Sequence, residues 1–194
     1  MEYFFFDRAK PFQGHHSLNL NSAWRDPALV REALAYHVYA ACGVPASRSR
    51  MVRLQLNGQF RGVYVEVEQV DKTFLTRFNL NGATLYKAAS SENRSDERDL
   101  GNDAAFARHY EKETQKTNGM AELRDFCHEL ATTTNVLDFF TRRVDLEKYI
   151  NYLAAGVLVQ NWDCYDKNHF IVCDRKGSQK WFALPWDLDC TFGD

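Results

Sequence analysis

The sequence predicts an α+β fold, on three observations. A helix with start and stop signals precedes a β-hairpin built on an Asn-Gly turn, a second and strongly amphipathic helix precedes a second hairpin, and a polar, charged stretch separates the two halves. With 194 residues the chain can build one domain with a substantial core, or two small lobes. Its hydrophobic content of 45% and aromatic content of 14% exclude a disordered or fibrous class. A net charge of −2 excludes a broad basic footprint, so no nucleic-acid partner is expected.

The elements follow in chain order. "MEYFFFDRAK" has a short apolar run after an acidic residue and lacks a basic leader, so it does not read as a signal peptide. No stretch approaches the ~20 apolar residues that span a bilayer. Both readings point to the cytoplasm and to no membrane partner. "RDPALVREALAYHVYAACGVP" reads as a helix with Asp26 as N-cap, Pro27 at its first position and Gly43 just past its end. Its expected apolar face is Val30, Leu34, His37, Val38 and Ala41. In "RMVRLQLNGQFRGVYVEVEQV", Val52, Leu54 and Leu56 alternate before Asn57-Gly58, and Val63, Val65 and Val67 alternate after it, which gives an antiparallel hairpin with one buried face. "VDKTFLTRF" reads as a short helix, "NLNG" as a turn and "ATLYKA" as a strand carrying Lys87.

From Ser90 to Thr117 the chain is polar, and "SENRSDERD" within it reads as a mobile surface loop. This stretch sets the expected division into an N-terminal lobe, 1–117, and the start of a C-terminal lobe, 118–194. Residues 120–131 read as helix. "VDLEKYINYLAAGVLVQ" is a helix capped by Asp145, with Leu146, Tyr149, Ile150, Leu153, Val157 and Leu158 as its apolar stripe. Trp162, Trp181 and Trp186 are assigned to the core. The chain stops at Asp194, directly after an acidic cluster, and is expected to be a fragment of a longer protein.

The chemistry concentrates in "NWDCYDKNHF" and "WFALPWDLDCTFGD". A hairpin centred near Gly177 places Asn168 beside Asp187 at its open end. Asp163 lies five residues upstream and Asp189 two residues past Asp187. Converging carboxylates repel unless a cation or protons compensate. Carboxylate and amide oxygens without Cys or His suit a hard cation such as Mg²⁺ or Mn²⁺. The five cysteines are odd in number and form no CxxC pair, so reduced thiols are expected rather than zinc or disulfides, with Cys164 and Cys190 close together. His15 and His16 have no third ligand nearby and read as a polar loop.

In protein kinases a catalytic-loop Asp is followed five residues later by a metal-binding Asn, and a hairpin then returns to a metal-binding Asp. Asp163, Asn168 and Asp187 repeat that order. More specifically, "LNLNSAWRDPALVREALAYHVYAACGVPA", "VRLQLNGQFRGVYVEVEQVDKTFL", "LYKA", "NWDCYDKNH" and "PWDLDCTFG" resemble the CotH (spore coat protein H) kinase family of atypical protein kinases, over most of residues 18 to 193. The resemblance implies a minimal kinase-like two-lobed fold, truncated here at its C-terminal helical part. It implies ATP- and metal-dependent phosphorylation of Ser/Thr on a coat or surface protein, with ATP and that protein as partners. Carried onto this chain, Asp163 would be the catalytic Asp. Asn168 and Asp187, with Asp189, would hold the metal, and Lys87 would contact the nucleotide phosphates. Glu68 is the expected ion-pair partner of Lys87, with Glu32 as alternative. Cys164 departs from the family, where a small hydroxyl residue is more usual. No long Gly-rich loop is present, and "NGQFRG" is the nearest candidate to cover the phosphates. Two other readings stand beside the kinase. One is a non-catalytic structural or adhesion module that keeps the fold. The other is a metal-dependent phosphoesterase, against which Lys87 and the Asp-to-Asn spacing argue.

Overall fold

Two antiparallel four-stranded sheets organise the described part of the chain. The computed structural model describes residues 2–5, 10, 17–88 and 94–193. His15, His16 and the first three residues of "SENRSDERD" lie outside them. The first sheet has the order β1-β2-β4-β3, from β1 (Glu2–Phe5), β2 (Ser17–Asn21), β3 (Ser49–Leu56) and β4 (Gln59–Val67). The β3–β4 hairpin pairs as expected, with a bulge between Leu54 and Gln55, but no residue of β3 is fully buried and Leu56 is 52% exposed. Asn57 and Gly58 take φ of 51° and 77°, the left-handed pair that a two-residue turn of this hand requires. Val65 and Val67 are buried.

The second sheet has the order β6-β5-β7-β8, from β5 (Thr84–Ala88), β6 (Tyr110–Lys112), β7 (His169–Cys173) and β8 (Trp181–Pro185). It joins strands from both sides of residue 117, so the expected lobe division runs through a hydrogen-bonded sheet. Every residue of β7 and β8 is buried, which explains their unbroken apolar character. Trp181 stacks on Phe126 at 4.6 Å and on Tyr86 at 6.1 Å, and large buried aromatics of this kind contribute about 1.5–3 kcal/mol each. Trp186 is buried too, whereas Trp162 is 58% exposed and is not core.

The helices are α1 (Arg31–Ala41), α2 (Lys72–Arg77), α3 (Asp103–His109), α4 (Ala121–Thr132), α5 (Val136–Arg143) and α6 (Leu146–Leu158). Helix α1 starts four residues later than Pro27, because Leu29 turns left-handed at φ 57°. Asp26 still caps it from a distance: its Oδ2 accepts the amides of Val30 at 2.6 Å and Arg31 at 2.7 Å. The buried face of α1 is Glu32, Ala35, Tyr36 and Tyr39, not the expected stripe, and Leu34 is 47% exposed. The tyrosines win because their rings fill the core while their hydroxyls find partners, Tyr36 with the Asp187 amide and Tyr39 with Asn161. Helix α6 is capped by Asp145 as expected, but it buries Tyr152, Ala155 and Gly156, with Val159 just past its end, and leaves Ile150, Val157 and Leu158 exposed. Helix α5 carried no expectation.

The described part of the charged stretch is not a mobile surface loop. Ser95 is fully buried, its amide donates to Asp166 O at 2.7 Å and its hydroxyl to His109 O at 2.6 Å. Glu97 reaches the buried His169 at 3.0 Å. Buried partners, rather than composition, fix the segment. All five cysteines are free, and Cys127, Cys164, Cys173 and Cys190 are buried.

Candidate functional site

Helix α6 delivers the chain to the site and stops there. After Val159, Gln160 turns left-handed at φ 54° and the Asn161 amide returns to Gly156 O at 2.8 Å. The loop that follows is tied down inside the protein. Asn161 donates to the Tyr39 hydroxyl at 3.3 Å, Cys164 Sγ donates to Asn161 O at 3.1 Å, and Tyr152 donates to Cys164 O at 3.4 Å. Cys164 thus serves as a buried anchor, a role that a small thiol fills.

Asp163 leaves this loop with only 7% of its surface exposed. Lys167 Nζ lies 3.1 Å from its Oδ1, and Asn168 Nδ2 donates to its Oδ2 at 2.9 Å. Burial raises the Asp163 carboxyl above the ordinary carboxylate range, against the hydrogen bond and charge of Lys167. Because the Asn168 amide nitrogen faces Asp163, its oxygen is directed elsewhere.

The second hairpin pairs His169 with Pro185 and Cys173 with Trp181, the register that a turn at Gly177 sets. Trp186 donates to Asn168 O at 3.2 Å, so Asn168 and Asp187 flank the same hairpin end, as expected. Both sit left-handed, at φ 57° and 53°. That backbone costs about 1–2 kcal/mol per non-glycine residue, and it persists where the surroundings hold it. The Tyr36 hydroxyl supplies part of the hold by accepting the Asp187 amide at 3.2 Å. Burial and then the charge of Asp189 push the Asp187 carboxyl up to about 6, with Lys87 acting in the opposite sense and Asp163 adding to the rise.

Lys87 lies on β5 opposite Phe170 of β7, and its ammonium sits 5.2 Å from the centre of the Trp186 ring. It therefore borders Asp187. Glu68 does not join it. Glu68 follows β4 in the first sheet, where it forms an ion pair with Arg77 and accepts the Arg48 amide at 2.9 Å. The alternative, Glu32, does reach the acidic end. It is 1% exposed, and its carboxyl is pushed up to about 8 by burial, then by Asp187 and Asp189.

The donor set fits a hard cation in one respect and is incomplete in another. Among the described residues no three His, Cys, Asp or Glu side chains form a ready-made metal group. Mg²⁺, however, is ordinarily held by one or two carboxylates with water and phosphate oxygens completing the shell. Asn168, Asp187 and Asp189 are of that kind, and a cation would offset both the burial of Asp187 and the like charge of Asp189 beside it.

Four supporting residues escaped the sequence. Lys167 had a visible signal, four residues past Asp163. Tyr36 fell outside the expected apolar face of α1, although it lies on the buried one. The Glu97–His169 pair had none, since 72 residues separate its members. Burial pulls the His169 imidazole down, but the hydrogen bond and charge of Glu97 outweigh it and hold the ring above its ordinary value.

Comparison with known proteins bears on this arrangement. The sequence model of a family described as CotH kinase protein matches residues 5–194. The chain is 29% identical over 194 residues to inner spore coat protein H of Bacillus subtilis, which covers 97% of this chain and 53% of that protein. It is 26% identical over 186 residues to invasin CotH2 of Rhizopus delemar, covering 87% of this chain and 30% of that protein. Invasin CotH3 of the same organism matches to the same extent. The chain thus spans about half the length of the first relative and less of the invasins. No helix among the described residues is long and apolar enough to cross a membrane.

Proposed function

The chain belongs to the CotH kinase protein family, and on that premise we propose that it carries the core of an ATP- and divalent-metal-dependent protein kinase acting on Ser/Thr of a coat or surface protein. The observation that carries the reading is the contact of Asp163 with Asn168 at 2.9 Å, beside Asp187 at the end of one hairpin.

In this reading Asp163 accepts the proton of the acceptor hydroxyl. Its raised carboxyl makes it a better base at neutral pH than an exposed aspartate. Lys167 and Asn168 each hold one of its oxygens and so fix the direction in which it accepts. The hydroxyl oxygen bonds to the γ-phosphorus as the bond to the ADP oxygen breaks. Asn168 and Asp187, with Asp189, would hold Mg²⁺ or Mn²⁺, and the cation would neutralise charge on the transferring phosphate. Lys87, on β5, would contact phosphate oxygens.

A second reading, a non-catalytic coat or adhesion module, is favoured by the names of the relatives, a spore coat protein and invasins. Calorimetry with ATP and Mg²⁺ separates the two. Wild type is expected to bind in a metal-dependent way and Asp187→Ala to lose that binding. Asp163→Ala is expected to keep binding while phosphoryl transfer falls by about 10²–10⁴. Wild-type protein that binds no nucleotide with either cation would leave the module as the better account.

A further inference from the structure

The mechanism above makes no use of Glu32, the most deeply buried carboxylate near the site. Only 1% of its surface is exposed, and among the described residues neither Oε1 nor Oε2 has a hydrogen-bond partner. The nearby Asn21 side chain draws the raised carboxyl back down only in part, and Asn21 Oδ1 already accepts the Ala23 amide at 3.1 Å. An ionised carboxylate with no partner in a dry interior is costly, so proteins pair it, protonate it or use it as a ligand. The charged side chains that act most strongly on Glu32 are Asp187 and Asp189, both of its own sign.

Its position comes from α1. Glu32 and Tyr36 lie one turn apart on the buried face, and Tyr36 accepts the amide of Asp187. The helix therefore faces Glu32 toward the acidic end of the second hairpin, where Asp187 and Asp189 act on it. Three carboxylates from α1 and the hairpin end surround one region, and one of them is buried without any partner of its own.

We propose that Glu32 is a further ligand of the divalent cation at the hairpin end, sharing it with Asp187 and Asp189 as an all-oxygen site. The proposal rests on the cation-dependent reading given above. Since no three of these groups form a ready-made metal group, the cation itself draws them together. This explains why a fold would keep an unpaired carboxylate in its interior. A hard ion such as Mg²⁺ or Mn²⁺ suits an oxygen-only set.

Mn²⁺ supplies the test, because bound ions can be counted by electron paramagnetic resonance without turnover. Wild type, Glu32→Gln and Asp187→Ala are titrated with Mn²⁺ alone and with Mn²⁺ plus ATP, and each is melted with and without the ion. Glu32→Gln is expected to weaken Mn²⁺ binding at least tenfold. Without metal it should melt higher than wild type at pH 9, where the carboxyl is ionised, because a neutral amide then replaces an unpaired buried charge. If Glu32→Gln binds Mn²⁺ as tightly as wild type while Asp187→Ala does not, the proposal is overturned and the cation reading stands. If Glu32→Gln melts lower without metal and its Mn²⁺ affinity is unchanged, Glu32 serves an ion pair instead, and the proposal is again overturned. Wild type that binds no Mn²⁺, with ATP or without, overturns both. Should Glu32→Gln fail to fold, Glu32→Asp keeps the charge and shortens the reach. It is expected to fold and to lose Mn²⁺ affinity, and unchanged affinity would count against the proposal.

Discussion

Glu32 and Asp187 are the residues at which charge and burial conflict most openly. Glu32 is pushed up to about 8 and Asp187 to about 6, each first by burial and then by like charge. The unfolded chain releases these protons near the ordinary carboxylate values of about 4. Between those values and the raised ones, the folded state holds more protons than the unfolded state. Stability of the metal-free protein should therefore fall as pH rises from about 5 to about 8, the reverse of a paired carboxylate. Urea denaturation at pH 5.5 and 7.5 measures the fall, and saturating Mg²⁺ or Mn²⁺ should reduce it. At this scale the sequence showed what local spacing can show. Asp163, Asn168 and Asp187 were legible because five residues and one turn fix their relation. The fate of Glu68 was not, because its ion pair with Arg77 depends on where β4 ends in the first sheet.

Among elements, strands were more legible than helix faces. Turn chemistry determines a hairpin's register locally: Gly177 sets it for β7 and β8, while the Asn57-Gly58 turn sets it only as far as Gln55, beyond which a bulge shifts it. A helix face is chosen by what packs against it, and α1 and α6 choose together. Tyr39 and Tyr152 lie 5.6 Å apart, and the Tyr39 hydroxyl reaches Asn161 because α6 presents Gly156 at the crossing. A Cβ at Gly156 would stand 3.1 Å from that hydroxyl and 3.7 Å from Cys164 Sγ. Gly156→Val should therefore overpack the crossing and lower stability by about 1–3 kcal/mol, read as a lower thermal midpoint. The loop carrying Asp163 starts just beyond this crossing, so metal-dependent nucleotide binding should weaken with it. An unchanged midpoint would mean that the two helices part without cost.

For the whole molecule, the charged segment after β5 acts as a fastening. Arg94 pairs with Asp166 at 3.1 Å, Ser95 donates to Asp166 O, and Glu97 holds His169 while its own amide donates to the Tyr110 hydroxyl at 2.9 Å. Composition alone marks such a segment as solvated, and only long-range partners reverse that. Glu97→Ala strips a buried imidazole of its acceptor. It should cost about 1–3 kcal/mol in denaturant titrations and speed amide hydrogen exchange across Asp166–His169. Unchanged exchange there would show that the segment merely lies on the loop.

The place of β5 within the second sheet has a mechanical consequence. Ala88 O accepts the Asn168 amide at 3.1 Å, and Lys87 sits on the same strand, one residue away. Lysine and hairpin end are thus rungs of one ladder, and their spacing cannot change without breaking it. A hinge between two bodies could open or close a cleft elsewhere, but it could not separate these groups. The freedom left to the acidic end comes from the other side, where α1 brings Glu32 and Tyr36. A small slide of that helix would alter the site while the ladder stayed still.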